Sequence, residues 1–71
     1  MHFLYVITGI RPLKHTQQSF QTSPQKAYKV GKRMASQGMK VSVFRETFNN
    51  LYDVSFKEAI EMNWTFPETN N

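Results

Sequence analysis

The sequence predicts a small α+β domain: a mostly antiparallel sheet in the order β-β-α-β-β, one helix packed on one face, and a short C-terminal helix. Three observations carry that expectation. Residues 2–10 form an apolar run rich in β-branched and aromatic side chains. Ser23 to Gly38 repeats apolar residues at helical spacing between an N-cap and a C-cap. Met39 to Phe48 alternates, with Met39, Val41 and Val43 on one side and Lys40, Ser42, Phe44, Glu46 and Phe48 on the other.

The first run reads as a central strand, because Phe3, Tyr5 and Ile7 on one face and Leu4 and Val6 on the other all want cover. Gly9 and Arg11-Pro12 bound it, and Arg11 to His15 reads as a loop. Thr16 to Thr22 is polar around Phe20 and is expected as a weak edge strand pairing back on the first. Ser23 then stands where an N-cap accepts from the first free backbone N–H groups. Pro24 follows at the position where a missing N–H costs nothing. Ala27, Val30, Gly31, Met34 and Ala35 fall on one side of the helix, with Tyr28 at its margin. Lys26, Lys29, Lys32, Arg33 and Ser36 fall on the other. Glycine inside a helix costs roughly 1 kcal/mol relative to alanine. Gly31 within the apolar stripe therefore predicts close approach of helix to sheet.

Beyond the strand at 39–48, Asn49-Asn50 reads as a two-residue turn and Leu51 to Phe56 as the second arm of a hairpin. Ser55-Phe56-Lys57-Glu58 matches a capping box, which predicts a short helix over residues 56–63. Trp64 to Asn71 is expected to end the chain loosely. The domain is set at residues 1–66, with a flexible tail at 67–71.

Charge is divided along the chain. Eight basic residues and no acid precede Glu46. From Glu46 onward five acids stand against one base, Lys57, so the net +4 separates into +8 and −4. Such a division speaks to partners rather than to fold, since the basic part attracts phosphate or carboxylate. The chain has no cysteine, which removes disulfides and thiolate metal sites and fits a cytoplasmic setting. The apolar run at residues 3–7 lacks a basic flank and is too short for a signal peptide or a membrane span.

No catalytic constellation is legible. His2 and His15 have no acid nearby in sequence, and the three glycines are scattered rather than gathered into a phosphate loop. Glu58 and Glu61 have the spacing of a solvated helix face. The expectation is a protein that is not an enzyme and needs neither cofactor nor metal. The candidate partner-binding residues are Lys26, Lys29, Lys32, Arg33 and Arg45, joined by Phe44 and Phe48. The basic helix face is either a docking surface or an ordinary solvated face. Phe44 and Phe48, with Tyr52 and Phe56 across from them, are either a stacking surface for bases or a protein hot spot, or a minor core covered by Trp64, Phe66 and the second helix.

The helix run Gly31-Lys32-Arg33-Met34-Ala35-Ser36, the segment Ser42-Val43-Phe44-Arg45-Glu46-Thr47, the turn Asn49-Asn50-Leu51-Tyr52 and the opening strand Leu4-Tyr5-Val6-Ile7 together resemble small phage accessory proteins. Among these the chain is similar, over residues 4–52, to anti-CRISPR proteins that inhibit type I surveillance complexes. The resemblance implies a non-catalytic inhibitor made in an infected bacterium. It would dock where guide RNA or target DNA normally runs, with Lys29, Lys32, Arg33 and Arg45 facing acidic side chains or nucleic acid. The expected function is therefore a cytoplasmic phage or mobile-element protein that occupies the surface of a host protein or ribonucleoprotein complex. The alternative is a direct nucleic-acid binder using the basic helix face and the Phe44 and Phe48 sheet face. It predicts affinity that falls steeply with salt.

Overall fold

The computed structural model describes residues 2–11, 16–48 and 58–66. Along the chain lie strand β1 (His2–Ile10), strand β2 (Thr16–Gln21), helix α1 (Pro24–Ser36), strand β3 (Lys40–Phe48) and strand β4 (Glu58–Glu61). The four strands form one antiparallel sheet in the spatial order β2-β1-β3-β4. The apolar run at the start of the chain occupies the centre, paired along its full length with β3 and from Tyr5 to Ile10 with β2.

The strand period of two sorts side chains between the two faces. Tyr5, Ile7 and Val43 project to one face and build the core with Ala27 and Met34 of α1 and with Met39. Ile7 is fully buried there. The helix starts as its sequence dictates: Ser23 is extended at the N-cap, and its hydroxyl accepts from the Lys26 N–H at 3.4 Å. It ends in a Schellman motif, with the Gly38 N–H donating to the Ala35 carbonyl at 3.0 Å and the Met39 N–H to the Met34 carbonyl at 3.2 Å. That geometry needs a left-handed residue, and Gly38 supplies it at φ 85°.

Three expectations are corrected. The short helix expected over 56–63 is absent from its described part, because residues 58–61 are β4, paired with Phe44–Thr47 of β3. The ladder continues past the strand, the Met62 N–H donating to the Val43 carbonyl at 2.9 Å. The physical reason lies in the spacing of the apolar side chains. Ile60, Met62, Trp64 and Phe66 recur every second residue, which is the period of an extended chain. An isolated helix of two turns is also marginal in water, whereas the open edge of β3 offers backbone partners at once.

The second correction concerns Trp64 and Phe66. They neither end the chain loosely nor cover Phe44; they pack on the helix side. Asn63 adopts a left-handed φ of 54° and redirects the chain there. Trp64 stacks on Tyr5 with ring centroids 5.9 Å apart, and Tyr28 meets both Trp64 at 6.0 Å and Phe66 at 5.1 Å. The third correction follows from it. Gly31 admits the Phe66 ring rather than the sheet: a Cβ on Gly31 would lie 2.7 Å from Phe66 Cε1. The expected Asn49-Asn50 turn, the arm at 51–56 and the tail at 67–71 fall outside the described residues.

Candidate functional site

Six of the seven candidate residues divide between two surfaces. Lys26, Lys29, Lys32 and Arg33 are all exposed on α1, which has no acid in its first turn and none elsewhere along its length. At about 100° per residue, Lys26 and Arg33 share one side of the helix, Lys29 points away from the core, and Lys32 lies toward the opposite flank near Tyr28. The side carrying Lys26 and Arg33 overlooks β2. There Gln21, Lys26, Lys29, Val30 and Arg33 line a hollow of about 210 Å³. It runs into a second one of about 330 Å³ that shares Gln21, Val30 and Arg33 and extends to Gln17, Ser19 and Gln37. Together they form a groove with a basic wall from the helix and a polar wall from β2. Gln21 Nε2 donates to the Ser19 hydroxyl at 3.3 Å, and at the far end Arg11 donates to Gln37 Oε1 at 3.3 Å.

Phe44 is on the other side of the sheet. Val43, next to it in β3, is buried in the core against the helix, while Phe44 remains 37% exposed. In register it belongs to a row that crosses all four strands, Phe20–Val6–Phe44–Glu61. Phe20 is more open still, at 56%. Val6 is buried on this helix-free face because two phenyl rings flank it. Phe48 is half-buried on the same face, opposite His2. The aromatic surface is therefore edged by Glu46 and Glu61, and of the basic candidates it holds none.

Arg45 stands apart from both surfaces. It projects to the helix side of β3, half-buried, with its guanidinium 4.6 Å from the centroid of the Phe3 ring. Such a contact over a partly desolvated ring is worth about 1 kcal/mol. Its Nε is buried without an acceptor among the described residues. It lies on β3, with β1 between it and β2, so it is not part of the groove that Lys26 and Arg33 overlook.

The residues that sequence reasoning missed are Gln17, Ser19, Gln21 and Gln37. Nothing in their local sequence marks them. They matter only because β2 lies beside the basic side of α1, a tertiary fact. Among the described residues no group of His, Asp and Glu is placed to hold a metal ion. No helix among them is long and apolar enough to cross a membrane.

What the fold and surface define is a sheet-and-helix platform with a basic groove on one side and an aromatic face on the other. No protein-family model, curated protein or solved structure matches the chain.

Proposed function

We propose that the chain is a non-catalytic binding protein that inhibits a host defence or nucleic-acid-handling complex by occupying its surface, with the basic side of α1 as its docking face. The observation that carries this reading is a helix with four exposed cations and no acid. Lys26 and Lys29 are three residues apart and Lys29 and Arg33 four apart, and like charges at those spacings cost a few tenths of a kcal/mol each. An anionic partner relieves that cost and gains long-range attraction. Part of the charge division is also laid out in space. The basic groove borders β2 at one edge of the sheet, whereas Glu58 and Glu61 sit on β4 at the other. A partner of mixed charge fits that polarity better than bare nucleic acid. The resemblance over residues 4–52 implies the same kind of target, a ribonucleoprotein complex in the cytoplasm of an infected cell.

The alternative, direct nucleic-acid binding, cannot use the basic helix and Phe44 together, since the sheet stands between them. It is confined to the helix side. One experiment decides between the two. The purified chain is used to capture partners from bacterial lysate, with and without nuclease, beside a Lys29→Glu/Arg33→Glu variant. The expected result is a stoichiometric protein partner that survives nuclease and is lost with the variant. Capture that disappears on nuclease treatment selects the nucleic-acid reading. Unchanged capture by the variant refutes the basic docking face.

A further inference from the structure

We propose that β2 receives an extended acidic segment of the partner as a fifth strand, a mode of binding that rests on α1 being the docking face. Two independent features meet at this edge. The first is the strand itself. Among the described residues β2 pairs with β1 alone, so its outer row of backbone N–H and C=O groups has no strand partner there. Edge strands are ordinarily guarded by charge, proline, a bulge or brevity. β2 has none of these. Thr16–Gln21 carries no charged residue and no proline. Its register with β1 runs without interruption from Tyr5↔Gln21 to Ile10↔Thr16. The opposite edge is different: β4 is four residues long and has a glutamate at each end.

The second feature is the groove above that edge. A strand added outside β2 would place alternate side chains on the helix side, next to Gln17, Ser19 and Gln21. Arg33 overlooks all three positions, and Lys26 and Lys29 join it at Gln21. Lys26 to Arg33 spans about 10 Å of helix axis. Residues on one side of a strand recur about every 7 Å. Two acidic side chains, two positions apart, can therefore face the three cations at once. Backbone pairing supplies affinity and the cations select the charge, the division of labour in strand addition. The glutamines line the groove with amides that can accept or donate to the incoming side chains.

The test uses the intact, isotope-labelled chain and follows backbone amide exchange by NMR. The probe is a short capped peptide alternating glutamate and threonine. It is compared with the same peptide carrying lysine for glutamate, with a version N-methylated at alternate backbone nitrogens, and with a short oligothymidylate. The glutamate peptide is expected to bind and to slow exchange within Thr16–Gln21. The lysine and N-methylated peptides should bind at least about tenfold more weakly, roughly 1.4 kcal/mol or more. Equal binding of the N-methylated peptide, or binding of the oligothymidylate alone, would overturn the proposal. Protection of β2 that grows with protein concentration and needs no peptide would overturn it in favour of a second copy of the chain. The docking-face reading fails separately. If the peptide leaves β2 unprotected while Lys29→Glu/Arg33→Glu still abolishes partner capture, strand addition is refuted and the docking face stands.

Discussion

Gly31 was legible as a close-approach residue, but its neighbour was not. Its place in the apolar stripe says that something comes near; only the fold says that it is Phe66. The conflict this creates can be measured. Alanine is favoured over glycine in a helix by roughly 1 kcal/mol, yet an added Cβ overlaps a ring already held by Tyr28. Overpacking of this kind costs about 1–3 kcal/mol. Gly31→Ala is therefore expected to lower unfolding stability by up to about 2 kcal/mol in urea titration. On a Phe66→Ala background the same change should be neutral or stabilising, and a penalty that persists there would show that the ring is not its cause. Gly38 offers a contrast. A Cβ there meets nothing within 4 Å, so the position is restricted by its φ of 85° alone. Gly38→Ala should cost about 1 kcal/mol through backbone strain, with no second-site substitution that rescues it.

Among the elements, β1, α1 and β3 announce themselves because each carries its own signal: an apolar run, a capped 3.6-residue repeat, an alternation. β2 was expected at 16–22 on weaker grounds, and the strand forms at Thr16–Gln21 because β1 has an edge to offer it. The C-terminal segment misled because two local patterns compete there. The capping box at 55–58 argues for a helix, whereas the two-residue period from Ile60 to Phe66 argues for extension. Tertiary burial decides, since pairing on β3 followed by the left-handed turn at Asn63 brings Met62, Trp64 and Phe66 together against the core. The segment thus closes the structure rather than trailing from it. Trp64→Ala is expected to destabilise by about 2–3 kcal/mol, less than for a fully enclosed tryptophan because Trp64 is only half-buried. In a domain this small that is a large share of the whole. Chemical denaturation followed by far-UV circular dichroism checks it. A loss below about 1 kcal/mol would mean that the Tyr5 and Tyr28 contacts contribute little.

For the molecule as a whole, the sequence displayed the charge division but not its geometry. Lys29, Arg33, Phe44 and Phe48 are close enough in the chain to be imagined as one site. The sheet places the first two and the last two on opposite sides, and Arg45 on the helix side but away from the groove. Two surfaces so divided should be separable by mutation, because distant sites without shared partners contribute additively. Replacing Phe20 and Phe44 with threonine keeps strand preference while removing two exposed rings. The expected cost is about 1–2 kcal/mol from the lost cross-strand contacts with Val6, with partner capture intact and solubility raised. Lys29→Glu/Arg33→Glu should do the reverse, abolishing capture while leaving the thermal midpoint unchanged or slightly higher as like charges on α1 are relieved. The combined variant should show both effects undiminished. Loss of capture in the phenylalanine variant, with its fold intact by circular dichroism, would instead make the aromatic face part of the docking surface. The partner would then have to reach around the sheet to hold both sides.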